Sequence, residues 1–251
     1  MQNQFAELAP VFWKSMDVSN HFLIQSYTQF EILGYPISIN TSQVTTIIVG
    51  LFLIAIALVG RNSIIKGSIE RPGAIQNITE MAVEAMDKIV FSNMGSKGEG
   101  YKNFLLTIML FVSVSNVSGL FGLRPPTADF AVTLGMGVIA FVIIQYANIK
   151  NNGIGAITGL FKPIPILFPI NLIGEIANPI SLSLRLFGNV VAGTIMLGLY
   201  YGLLPWFAKL GFPVVLHAYL DVFSGLIQTY VFVMLIMIWI EDKYEEEIDN
   251  G

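Results

Sequence analysis

Ser181-Leu182-Ser183-Leu184-Arg185-Leu186-Phe187-Gly188-Asn189 lies inside an apolar stretch running from 167 to 203. A run of that length and composition can cross the ~30 Å hydrocarbon layer of a bilayer, and Arg185 falls near its middle. A guanidinium at that depth costs at least ~2.5–3.5 kcal/mol on insertion scales. Arginine cannot shed its charge to lower the cost, because its pKa stays above ~12. The stretch therefore decides two things. The chain is built for a membrane, and Arg185 has to face a polar cavity or a partner.

Composition agrees. Of 251 residues, 54% are hydrophobic and 12% charged, about half the charged share of a soluble domain. Four further apolar runs of spanning length occur at about 42–60, 103–123, 130–149 and 212–240. Gly60-Arg61, Gly122 with Pro125-Pro126, Asn151-Asn152-Gly153 with Pro163, Pro165 and Pro169, and the pair Pro205 and Pro213 punctuate them. The segment 74–91 reads differently. Ile75, Ile78, Ala82, Ala85, Met86 and Ile89 recur at helical spacing opposite Glu80, Glu84, Asp87 and Lys88, which predicts an amphipathic helix on the membrane surface or against a partner.

The expected fold is an all-α integral membrane protein with five transmembrane helices and that surface helix. Residues 1–41 are expected to form an extracytoplasmic N-terminal segment, 42–241 the transmembrane domain, and 242–251 an acidic cytoplasmic tail. No internal repeat is visible. Residues 1–43 lack a basic region followed by a short apolar core, so no cleavable signal peptide is expected.

Several functions are disfavoured. There is no cysteine, which excludes disulfides and thiolate metal sites. The net charge of −4 argues against a nucleic-acid partner. No His/Asp/Glu cluster has metal-ligand spacing, and Gly95–Gly100 lacks phosphate-loop spacing. Neither metal, cofactor nor catalytic group is expected.

Basic residues set the orientation. With five spans and the N-terminus outside, Arg61, Lys66, Arg71, Lys88, Lys97, Lys102, Lys150, Lys162 and Lys243 fall on the cytoplasmic side, and Lys14, Arg124 and Lys209 outside. That is a positive-inside distribution. The fourth segment is too long to stand upright: 37 residues of helix would run ~55 Å. The last segment, at ~43 Å, is also over-long, so both are expected to incline steeply.

Each carries a polar stripe. Asn171, Glu175, Asn178, Leu182, Arg185 and Asn189 follow spacings of 4, 3, 4, 3 and 4, and His217, Asp221, Ser224 and Gln228 follow 4, 3 and 4. Each set keeps to one helix face, and in lipid such faces turn toward protein, water or each other. Two facing stripes with an unquenchable cation between them read as an ion path. A continuous pore gains nothing from a central barrier charge, whereas two half-channels kept from short-circuiting do. Glu175 reads equally as a half-channel residue or a headgroup-level carboxylate, and His217 equally as a path or interface residue. Asn116, with Ser113 and Ser115, reads as packing glue. Trp206, Tyr219 and Trp239 read as interface anchors, and Gly188, Gly193 and Gly198 as points of close helix approach.

Ser181–Asn189 and Asp-Val-Phe-Ser-Gly-Leu-Ile-Gln (221–228) resemble the signatures of subunit a of the F-type ATP synthase. Pro-Gly-Ala-Ile-Gln-Asn-Ile-Thr-Glu (72–80), Ser115-Asn116 with Gly119-Leu120, and Pro125-Pro126-Thr127-Ala128-Asp129 add to the resemblance. It covers about 42–241. The resemblance implies a stator beside a rotating ring of c subunits, with Arg185 facing each ring carboxylate as it passes. Asn189 and Gln228 match polar neighbours of that arginine, and Asp221 a relay position. It further implies peripheral-stalk b subunits and, indirectly, a soluble ATP-synthesising head as partners. This chain would not be catalytic itself.

One departure stands out. Many members carry a carboxylate or imidazole nine residues after the arginine, where this chain has Thr194. A hydroxyl cannot hold a proton, so an outer relay would lean on Asp221 with His217 and water, and fewer protonatable groups would equally suit Na⁺. The ion stays open between H⁺ and Na⁺. A bacterial plasma membrane is the expected location. The rivals are a self-contained secondary transporter gated by Arg185 and Asp221, disfavoured by the lack of inverted repeats, and a membrane enzyme such as a protease, which would need a Ser-His or metal-binding pair.

Overall fold

The computed structural model describes residues 26–32, 35–67, 73–121, 123–161, 164–203, 215–216 and 218–245. Two short antiparallel strands come first: β1 (Ser26–Ile32) pairs with β2 (Tyr35–Asn40), with a register irregularity between Ser26 and Thr28. Both fall within the N-terminal segment that the sequence leaves undivided. Among the described residues, all the regular structure that follows is helical.

Helix α1 (Thr41–Lys66) starts where the Asn40 N–H donates to Gln43 Oε1 at 3.2 Å, one limb of a capping box. Helix α2 (Ala74–Met94) follows, then α3 (Lys102–Val117), which tightens into a 3₁₀ turn at Ser118–Phe121. Helix α4 (Phe130–Asn152) opens on the Asp129 side chain, which accepts from the Ala131 N–H at 3.0 Å. It closes on Gly153, at φ +53, whose N–H bonds the Ile149 carbonyl at 2.9 Å. Helix α5 (Phe168–Leu203) is 36 residues long, and α6 (Ser224–Glu245) is entered through a π-helical turn at Ala218–Phe223.

Five of these helices are long and apolar enough to cross a membrane, as expected. Their surfaces say the same. On α1, Ile47, Ile48, Leu51, Phe52, Ile54, Ile56, Leu58 and Val59 are all exposed, and an apolar helix left uncovered on most sides is at rest only in hydrocarbon. At 36 residues α5 would run ~54 Å, so it has to incline or project beyond the layer.

The core collects around α6. Phe232, Ile236, Met237 and Ile240 are fully buried there, against Leu105 and Val112 of α3, Ala140 of α4, and Leu182 and Leu186 of α5. Helix α5 packs mainly on α4 rather than on α6, so the last two helices are not the simple pair suggested by their adjacency. Helix α2 is present with the expected extent, but its face differs. Gln76, Met86, Val90 and Met94 are buried, while Ile75, Ile78 and Met81 stay exposed. The bundle takes a face turned by about a quarter turn from the apolar stripe, which leaves part of that stripe outward.

Candidate ion-translocation site

The position of α5 is set at Gly137 of α4. A Cβ there would lie 2.8 Å from the Pro179 carbonyl oxygen and would collide with the Ser183 hydroxyl. The missing side chain lets two helix backbones come together, the usual service of small residues between membrane helices. At Pro179 itself α5 lacks an N–H for the Glu175 carbonyl, so the helix loses one rung there. Ser183 Oγ donates to the Pro179 carbonyl at 2.7 Å.

This approach brings Glu175 beside two other helices. Lys243 Nζ of α6 lies 2.5 Å from Glu175 Oε1, with both side chains largely buried (10% and 19% exposed). Gln145 Nε2 of α4 donates to Glu175 Oε2 at 2.8 Å. Asn152 Nδ2 donates to the Lys243 carbonyl at 3.0 Å and to Asn148 Oδ1 at 2.9 Å. A cavity of about 80 Å³ opens beside the ion pair and reaches Asn178, Leu182 and Trp239, with Asp242 also on its wall. It holds a few waters at most. Nearby, Lys97 Nζ stands 5.3 Å over the Tyr244 ring. Burial, with Tyr244 alongside, pushes the Tyr101 phenol above its usual range.

Leu182, at the inner limit of that cavity, is one helical turn from Arg185. Beyond Arg185, Asn189 Nδ2 donates to Gln228 Oε1 of α6 at 2.6 Å. Gln228 is buried, and its Nε2 has no hydrogen-bond partner. Arg185 is exposed. Among the described residues no hydrogen bond or ion pair holds it. The exposed side of α5 is mostly apolar, with Ile176, Ile180, Leu184, Ile195 and Met196 uncovered, and Ser181 and Asn189 exposed one turn to either side of Arg185.

At the other end of the bundle a buried knot fixes the entry to α6. Asn116 Nδ2 donates to the Gly225 carbonyl at 3.0 Å and to Thr229 Oγ1 at 3.4 Å, while Thr127 Oγ1 donates to Asn116 Oδ1 at 2.7 Å. A Cβ on Gly225 would sit 2.9 Å from the Asn116 Cβ. Asn116 is packing glue, as its composition suggested.

The sequence stripes are only partly realised. Asn189 and Gln228 meet. Glu175 and Asn178 share one cavity, but Leu182 between them and Arg185 is core, and Asn171 donates to the Leu160 carbonyl at 2.9 Å. Thr194 turns its hydroxyl back on the Val190 carbonyl of its own helix at 2.9 Å. Asp221 belongs to the π turn, which shifts the register that an α-helical 4, 3, 4 count assumes. Its side chain, His217, Pro205, Trp206 and Pro213 lie outside the described residues. Ser224 is the first residue of α6. Trp239 lines the cavity, and Gly188 has nothing within 4 Å of its open side. Lys243, Gln145 and Asn152 were missed. Gln145, an amide in an apolar run with Asn148 one turn on, offered a local signal, whereas the partnership of Lys243 with Glu175 spans helices distant in sequence.

The family model described as ATP synthase A chain matches residues 43–241, a range that reaches into all five spanning helices and leaves out the first residues of α1 and the last of α6. The chain belongs to this family. Among its relatives, subunit a of the ATP synthase of Propionigenium modestum, named as sodium ion specific, is 34% identical over 84% of this chain and 75% of its own length. Subunit a from Geotalea daltonii is 34% identical over 86% of this chain and 95% of its own, and that from Priestia megaterium 35% identical over 86% and 96%. As an ATP synthase A chain, the protein is a multi-pass membrane component of a larger complex, engaged in ion transport and ATP synthesis.

Proposed function

We propose that the chain provides two offset half-paths for a monovalent cation, separated by Arg185, and that it presents this arginine to the carboxylates of a rotating ring of c subunits. One observation carries the reading. Arg185 stands exposed on a mostly apolar helix, α5, with no acid beside it among the described residues. An uncompensated guanidinium in hydrocarbon calls for an anion from outside the fold.

On this reading the inner half-path is the cavity beside Glu175 and Asn178, and the outer one runs past Asn189, Gln228 and Asp221, with Ser224, Thr194 and His217 along its wall. A ring carboxylate loaded with its ion is neutral and crosses lipid. Opposite Arg185 it is favoured as the bare anion, since an opposite charge within ~4–6 Å stabilises the ionised form. The ion leaves through one half-path and the next enters by the other after the ring has stepped. Each charge crossing 100 mV supplies ~2.3 kcal/mol, so one ATP takes several crossings and a ring gathers them. The chain takes no part in ATP chemistry; that belongs to the soluble head, and b subunits hold it against rotation. The setting is a bacterial plasma membrane, with the N-terminus outside and the C-terminus cytoplasmic.

The test is Arg185→Ala in the complete ATP synthase reconstituted in liposomes. ATP synthesis driven by an imposed ion gradient should fall to background. Synthesis at the unmodified rate would end the assignment. The ion follows from the same preparation: a requirement of ATP hydrolysis for Na⁺ identifies Na⁺, and indifference to it identifies H⁺.

A further inference from the structure

Both carboxylate oxygens of Glu175 are occupied, one by the Lys243 ammonium and the other by the Gln145 amide. Lys243 is held unequally. Its backbone carbonyl is tied to Asn152, while its ammonium rests at the end of a flexible four-carbon stem. The ion pair stands against a cavity that contains a further acid, Asp242, and runs inward to Leu182, one turn short of Arg185. The charged and polar groups around Glu175 are therefore Gln145 from α4, Asn178 from α5, and Asp242 and Lys243 from α6.

We propose that Lys243 is a tethered counter-ion that closes the inner half-path: its ammonium takes the place of the transported cation at Glu175, and swings away each time an ion passes. This rests on the half-path reading above and adds a gate to it. With the ammonium in place Glu175 is neutralised, and Asp242 is the one carboxylate on the cavity wall left to a free cation. With it displaced, Glu175 becomes a temporary stop beside the cavity, and the anchored backbone returns the side chain to the same spot. A cation is excluded by a cation of the protein's own, so the path is blocked without an apolar plug. Lys243 is a positioning residue here, acting through Glu175.

A purely structural ion pair and a gate respond oppositely to Lys243→Arg. Arginine grips a carboxylate with two parallel hydrogen bonds where lysine offers a point charge. A structural pair would tolerate or gain from that grip, while a gate that has to release would slow down. The experiment measures ATP-driven ion pumping by the whole complex in liposomes, with assembly checked by co-elution with the ring. Lys243→Arg should assemble normally and pump about tenfold more slowly, the effect of roughly one added charge-assisted bond. Lys243→Gln should also pump poorly, because free cations then lodge at Glu175, and its rate should fall further as Na⁺ or H⁺ is raised on the cytoplasmic side. Glu175→Gln/Lys243→Gln should lose that sensitivity, because the carboxylate that holds the stray cation is gone. Pumping by Lys243→Arg at the unmodified rate overturns the gate, as does a double variant whose rate still falls as the cation is raised. If Lys243→Gln fails to assemble, Lys243→Arg and the double variant decide the matter. Arg185→Ala run alongside separates the two claims: background pumping there with unmodified pumping in Lys243→Arg rejects the gate alone, and active Arg185→Ala rejects the half-paths themselves.

Discussion

Glycine serves two opposite purposes in this chain, and single residues tell them apart. At Gly137 and Gly225 a methyl group would meet backbone oxygen or a buried side chain within 3 Å, so Gly137→Ala and Gly225→Ala should each lower stability by ~1–3 kcal/mol, the cost of forcing extra volume into a packed site. Thermal unfolding of the purified chain in detergent measures this. Gly188 meets nothing, so Gly188→Ala should leave that unfolding unchanged. Gly188→Leu should nevertheless cut coupled ATP synthesis, because the added bulk falls one turn from Arg185 on the proposed ring-facing side. Arg185 was legible from one line of sequence because no other residue type carries so fixed a charge at such expense. The glycines were not, since an absent side chain gives no sign of which neighbour uses the space.

The elements show where helical arithmetic holds and where it stops. Apolar run lengths placed five spans with most ends close, the end of α1 and the start of the last span being about six residues out, because crossing a bilayer demands length and composition before anything else. Counting by 3 and 4 failed at Ala218–Phe223, where the turn is π-helical, and it misjudged α2, whose bundle-facing side follows the shape of α3 and α6 instead of its own apolar stripe. The entry to α6 depends on Asn116, so Asn116→Ala should release three hydrogen bonds and leave the buried Thr127 hydroxyl short of a partner, while the Gly225 carbonyl keeps the Thr229 hydroxyl at 2.8 Å. At the modest worth of hydrogen bonds between membrane helices this amounts to ~2–3 kcal/mol. The same unfolding assay should show it, with a loss of ion pumping out of proportion to the loss of stability, because Gln228 follows one turn behind Gly225. A pumping loss that merely tracks stability would make Asn116 structural alone.

At the scale of the molecule, the basic residues sort by end. Lys97, Lys102 and Lys243 share the end where Tyr244 meets Lys97 and Asn152 meets Lys243, while Arg124 lies with the Asn116 knot at the other. That sorting was readable from loop charge, whereas which partner side chains meet across the bundle was not, because Glu175 and Lys243 are brought together only by the whole packing. The natural chain has no cysteine, so single introduced thiols report sidedness without background. Ser96→Cys should react with a membrane-impermeant maleimide from the cytoplasmic side and Leu123→Cys only from outside; the reverse pattern would invert the topology.

An arginine with no acid beside it among the described residues leaves the subunit electrostatically unfinished. On the proposed reading its greatest attraction stays unspent until it meets a carboxylate that belongs to another chain. Docking would then be driven at a single spot that no amount of apolar contact could specify, and a rotor sliding past would lose and regain that attraction at every step.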